Sequence, residues 1–196
     1  MNKKIYEFLV SLREKSINSG IMALPEESAR FLYFITNIYS REKVKIVEFG
    51  SGFLYSVLWM LCGILDSGKR GKIYAVEKDE EYFRESLNIA SEFSKILNLN
   101  IFEILNIVNR DAADLKGNEF GNDIDIVFLD VDKKLYFNTL KKFEPFIKRG
   151  GLILAHNVFS HKEELIDFIE EIENPEKYFT LMLQTDPQGL SISIKL

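Results

Sequence analysis

Five short strand-like runs, at 44–49, 72–77, 101–108, 124–129 and 152–155, alternate with stretches whose apolar residues recur at helical spacing. That alternation admits few folds. Consecutive strands separated by helices predict a mostly parallel sheet with helices on both faces, a doubly wound α/β architecture. The run at 124–129, Ile-Asp-Ile-Val-Phe-Leu, is almost wholly apolar, as a central strand covered on both sides must be. Beyond it, 178–184 and 190–195 flank the turn Thr185-Asp186-Pro187-Gln188-Gly189 and predict a hairpin with at least one antiparallel strand. The expected sheet is therefore seven-stranded, with a C-terminal antiparallel hairpin. A length of 196 residues fits one domain, with N-terminal helices over 1–40 and the α/β core over 41–196.

The helices carry their own signals. Ile5, Phe8, Leu9 and Leu12 fall on one face of a first helix. Pro25 followed by Glu26 and Glu27 marks the start of a second, running to about residue 40, with acid near its positive end. An apolar helix is expected over 54–65. Asp79 is placed to cap a helix with Phe83, Leu87, Ala90, Phe93 and Leu97 on one side. A further helix is expected over 133–146, punctuated by Gly150-Gly151. Ser160 with Glu163 reads as a capping box for a last helix to about residue 173.

The formal net charge of −5 argues against a nucleic-acid partner, because phosphate binding needs a clustered basic face. The longest apolar stretch, 53–65, is too short to span a bilayer, and no leader pattern opens the chain, so no membrane association and a cytoplasmic setting are expected. One cysteine, Cys62, permits no intrachain disulfide, and with two histidines a structural zinc site is not expected.

Doubly wound sheets bind ligands beyond the carboxyl ends of their strands. The residues there are polar or glycine: Glu48 to Gly52, Glu77, Asp111, Asp130 to Lys133, and His156-Asn157. Gly50 and Gly52, flanking Ser51, let backbone pass close to a ligand. A dinucleotide fingerprint would want a third glycine where the chain has Tyr55, and the Glu48 carboxylate would repel a pyrophosphate. The same carboxylate suits a ligand bearing an ammonium and a sulfonium, such as S-adenosylmethionine. Glu77, at the end of the second strand, stands where an acid accepts hydrogen bonds from ribose hydroxyls.

The order E-x-G-x-G after strand one with an acid after strand two resembles the class I methyltransferases. Asp130-Val131-Asp132-Lys133, with Tyr136 three residues on, resembles the D-x-D-K-x-x-Y segment of the cation-dependent O-methyltransferases, the catechol and caffeoyl-coenzyme A enzymes and their microbial relatives. Gly150 to Val158 resembles their G-G-x-x-x-x-D-N-V segment, and residues 22–31 resemble the stretch before their cofactor strand. The resemblance implies a Rossmann-like fold, S-adenosylmethionine as cofactor, methylation of a small hydroxylated, catechol-like acceptor, and a homodimer. It assigns cofactor contacts to Met22, Glu48, Gly50, Ser51, Gly52, Ser56, Glu77, Asp111, Ala112, Asp130 and Val131. It assigns the acceptor-deprotonating role to Lys133, with Asp132 beside it, and divalent-metal ligation, Mg²⁺ in the family, to Asp130, His156 and Asn157.

Two positions depart from the family pattern. His156 stands where the family has Asp, which removes a hard anionic ligand and favours transition dications over Mg²⁺, or no metal at all. Leu54 stands where the family usually has Gly and is expected to crowd the methionine arm. Tyr55, Trp59, Tyr136, Phe137 and Phe159 fall near the strand ends as candidate walls for a planar acceptor. The alternatives are a metal-independent methyltransferase with another small acceptor, a cofactor-binding module without catalysis, and an NAD-dependent oxidoreductase, which Glu48 disfavours.

Overall fold

A computed structural model describes all 196 residues. Two helices, α1 (Lys3–Asn18) and α2 (Glu26–Ile38), precede the core. The core runs β1 (Lys43–Phe49), α3 (Tyr55–Asp66), β2 (Arg70–Glu77), α4 (Glu80–Leu97), β3 (Leu105–Asn109), β4 (Ile124–Leu129), α5 (Tyr136–Phe143), β5 (Ile147–His156), α6 (Ile166–Ile172), β6 (Tyr178–Leu183) and β7 (Leu190–Lys195). The seven strands form one sheet in the order β3-β2-β1-β4-β5-β7-β6. The first five are parallel, and β7 lies antiparallel between β5 and β6. The chain order reverses between β1 and β4, which puts a crevice at their carboxyl ends. No helix is long and apolar enough to cross a membrane.

Burial explains the elements. All six residues of β4 are buried, as its apolar run requires, and Asp125 within it pairs with Lys148 at 2.9 Å and accepts the Lys45 amide at 2.8 Å. One apolar cluster joins α1, α2, α3 and α4 to one face of the sheet, and a second joins α5 and α6 to the other. Asp79 caps α4 by accepting the Glu81 and Tyr82 amides.

Several local expectations are corrected. Residues 101–103 form a single 3-10 turn, and β3 starts at Leu105. Ser160 caps nothing: its hydroxyl pairs with His161 Nδ1 at 2.8 Å, and α6 begins only at Ile166. Gly150 and Gly151 lie inside β5 rather than ahead of it, at a register shift against β4. The 133–146 helix is a shorter α5 framed by 3-10 turns at each end.

Candidate active site

The glycine turn after β1 is locked from three directions. Gly50 takes φ +88°, and its amide and that of Ser51 donate to the Val76 carbonyl at 2.9 and 3.1 Å. A Cβ on Gly50 would stand 2.3 Å from the Asp130 carbonyl oxygen, so no other residue fits. Gly52 donates its amide to Glu77 Oε2 at 2.9 Å, while Glu77 Oε1 accepts the Asp79 amide at 2.8 Å. Ile21, in the connection between α1 and α2, packs on the open side of Gly52. The neighbouring Met22 is 87% exposed.

Leu54 is also left-handed, at φ 66°, yet fully buried in the core cluster under α3. Its side chain is committed to the core, and the expected crowding of the methionine arm does not follow from its placement.

Glu48 is completely buried. Its Oε1 accepts the Ser56 hydroxyl, and its Oε2 has no partner. Burial pushes this carboxyl well above the usual range, against the pull of Ser56, and the nearby Asp130 and Glu77 add to the rise. Ser51 Oγ beside it is likewise buried without a partner. A buried acid oxygen and a hydroxyl without partners, at a turn that only glycine can make, call for a polar ligand with a cationic donor. S-adenosylmethionine fits that demand with its ammonium and sulfonium. Asp111 and Ala112 lie beyond β3, where Asp111 accepts the Ala113 amide at 2.9 Å and starts a short 3-10 turn, with Ala112 buried.

The acceptor side is built by the ends of β4 and β5. Lys133 Nζ lies 3.5 Å from Asp130 Oδ1 and donates to the Val131 carbonyl at 3.3 Å. Lys133 thus pairs with Asp130, not with Asp132, which is exposed and accepts the Lys134 amide at 3.3 Å. His156 Nδ1 lies 3.5 Å from the same Asp130 oxygen, and Nε2 lies 3.2 Å from Asp186 Oδ2. Asn157 follows in a left-handed conformation, φ 66°. Asp186 also accepts the Ser28 hydroxyl and the Gln188 and Gly189 amides, the last two at 2.6 and 3.1 Å. Burial would raise the Asp186 carboxyl; Ser28, His156 and the two amides more than offset it and hold it below the usual range. Sequence reasoning missed Ser28 and Asp186, whose only signal was a turn aspartate between two strands.

These residues do not make a carboxylate-rich site of the kind a hard dication prefers. No three His, Cys, Asp or Glu side chains are arranged to hold one ion. The two carboxylates near His156 lie at opposite ring nitrogens, and Lys133 Nζ already faces Asp130. Of the candidate aromatic walls, Tyr55, Trp59 and Tyr136 are core residues, and Phe159 lies flat against Gly189. A surface groove of about 1070 Å³ between α1 and α2, lined by Tyr6, Arg30, Phe31, Phe34 and Trp59, approaches this centre only through Thr185, whose hydroxyl bonds Ser28 at 2.6 Å.

A model of the O-methyltransferase family matches residues 2–187. The chain belongs to that family. Among curated relatives, Tapetum-specific methyltransferase 1 of Arabidopsis thaliana is 26% identical over 159 residues, which is 78% of this chain and 64% of that protein. The "Probable caffeoyl-CoA O-methyltransferase 2" of Dictyostelium discoideum is 22% identical over 157 residues, 80% of this chain and 65% of its own length. The chain thus spans just under two thirds of these relatives. The O-methyltransferase of Bacillus cereus, solved in complex with SAH, superposes with a TM-score of 0.79 at 18% identity, covering 100% of this chain and 92% of that one. At that identity the likeness establishes the Rossmann-like fold.

Proposed function

We propose that the protein transfers the methyl group of S-adenosylmethionine to the hydroxyl of a small, catechol-like acceptor. The observation that carries the cofactor half is the unpartnered, buried Glu48 Oε2 beside the Gly50–Gly52 turn. S-adenosylmethionine supplies an electrophilic methyl on a sulfonium. Glu48, Ser51 and Ser56 hold its amino-acid end, Glu77 its ribose, and Asp111 with Ala112 its adenine edge. Met22, on the connection beside the turn, is the remaining cofactor contact the resemblance implies.

Methyl transfer is a direct displacement, so the chain's main task is to align an oxygen with the methyl carbon. Asp130 and Lys133 hold that oxygen at the end of β4. As the oxygen–carbon bond forms and the carbon–sulfur bond breaks, the hydroxyl proton passes to the amine of Lys133. Val131 and Asp132 shape the turn that aims Lys133 at Asp130. Metal assistance, with Asp130, His156 and Asn157 as ligands, is the family's route, and the donor geometry above does not support it here.

Calorimetric titration of S-adenosylhomocysteine, with NAD as control, tests the cofactor. Micromolar binding of the first and none of the second is expected; no binding of S-adenosylhomocysteine sinks the reading. Product analysis with 3,4-dihydroxybenzoate then tests the acceptor class, with a monomethyl ether as the expected product. The homodimer implied by the resemblance is tested by light scattering, with twice the chain mass of 22.8 kDa expected.

A further inference from the structure

The centre at the ends of β4 and β5 carries a second device. His156 is 4% exposed, and each of its ring nitrogens faces a carboxylate: Nδ1 to Asp130 at 3.5 Å, Nε2 to Asp186 at 3.2 Å. Asp186 cannot swing away freely, because the Ser28 hydroxyl on α2 and the Gln188 and Gly189 amides hold its two oxygens. The backbone of His156 is held as well, since Tyr136 donates to its carbonyl at 3.2 Å from the buried face of α5. The turn between β6 and β7, backed by α2, thus holds one imidazole against Asp130.

That arrangement leaves little for a divalent ion. A dication beside Asp130 would compete for a carboxylate oxygen that already faces Lys133 Nζ and His156 Nδ1, each at 3.5 Å. The second carboxylate that would offset this charge, Asp186, lies across the ring and cannot reach the same ion.

Resting on the methyl-transfer reading, we propose that this enzyme works without a divalent cation, and that Asp186, backed by Ser28, is a positioning residue that clamps His156 against Asp130 in the ion's place. His156 then fixes the rotamer of Asp130, and through it the acceptor oxygen.

The test is a titration of Mn²⁺ into the protein, alone and with S-adenosylhomocysteine, read by the electron paramagnetic resonance signal of free Mn²⁺. No stoichiometric binding is expected for the wild type, and His156→Asp is expected to gain binding by at least about 10-fold, because it restores a carboxylate next to Asn157. Stoichiometric Mn²⁺ binding by the wild type that Asp130→Asn abolishes would overturn the proposal. The wild-type titration decides alone should His156→Asp fail to fold. The clamp has its own readout in ¹⁵N-histidine spectra, which are simple because the chain has only two histidines. Asp186→Asn is expected to shift the ring nitrogens of His156 and leave those of His161 unchanged, while S-adenosylhomocysteine affinity stays within about 2-fold. Unchanged His156 nitrogens would overturn the clamp. Failure of S-adenosylhomocysteine to bind at all would count against the methyl-transfer reading, and the Mn²⁺ and ¹⁵N results would remain readable.

Discussion

Glu77 accepts the Gly52 amide with one carboxylate oxygen at 2.9 Å and the Asp79 amide with the other at 2.8 Å. One acid therefore ties the glycine turn after β1 to the start of α4, and its expected ribose contact is made by a group that is already fixed. Glu77→Ala should lose both ties and the ribose acceptor together. A fall in S-adenosylhomocysteine affinity of about 100-fold, roughly 3 kcal/mol, is expected by calorimetry, with a lowered melting temperature. Glu77→Gln, which keeps one acceptor, should recover part of the stability and little of the affinity.

Glu48 links stability and cofactor binding with opposite signs. Burial raises its carboxyl pKa in the folded state above the unfolded value. The folded protein then binds more protons than the unfolded chain between the two values. Stability from this group is complete below the ordinary carboxylate range and is lost as pH rises through the folded pKa. Glu48→Gln should therefore melt higher than wild type at mildly alkaline pH and show a flatter dependence of melting temperature on pH. It should also bind S-adenosylhomocysteine about tenfold more weakly, for loss of a charged partner to the ammonium. Equal affinity in the two proteins would remove Glu48 from the cofactor site.

Gly50→Ala places a methyl 2.3 Å from the Asp130 carbonyl on a backbone of φ +88°. Strain and collision together should cost about 3 kcal/mol or more, read as a shifted denaturation midpoint and lost cofactor binding.

Leu54 tests a departure from the family pattern. Leu54→Gly relieves a left-handed backbone but empties a fully buried site in the core. The cavity should win, with a loss of about 2–4 kcal/mol by chemical denaturation, while S-adenosylhomocysteine affinity of the folded fraction changes less than about 2-fold. A large gain in affinity would show that the side chain crowds the cofactor after all.

Lys133→Met keeps the length of the side chain and removes its amine. Turnover of a catechol acceptor should fall by about 100-fold or more with S-adenosylhomocysteine binding unchanged. Retained turnover would move the proton-accepting role elsewhere.

The sheet was legible in the sequence because buried parallel strands and helical periodicity leave plain marks, and the hairpin at 178–195 was announced by Pro187 and Gly189. The insertion of β7 between β5 and β6 was not, since strand order is set by long-range pairing that no local pattern records. The same holds at the site. Glu48, Gly50, Glu77 and Asp130 follow their strands directly and could be placed by counting. Asp186 reaches His156 across 30 residues and is itself held by Ser28 across 158, and nothing in their own neighbourhoods marks them. The Ser160–Glu163 pair shows the converse: a good local signal that tertiary packing did not use.

The contact of Gly50 with the Asp130 backbone also bears on which side of the turn is free of the sheet. The floor of the crevice is one hydrogen-bonded slab, in which the Asp130 amide donates to the Phe49 carbonyl at 3.0 Å and the Gly50 amide to Val76 at 2.9 Å. Such a floor is tied to both neighbouring strands. The opposite side is only the connection of residues 21–25, irregular in structure, with Ile21 lying over Gly52 and Met22 projecting outward. The side of the turn not tied into the sheet is thus the side of the α1–α2 connection, whose residues 21–25 form no helix or strand.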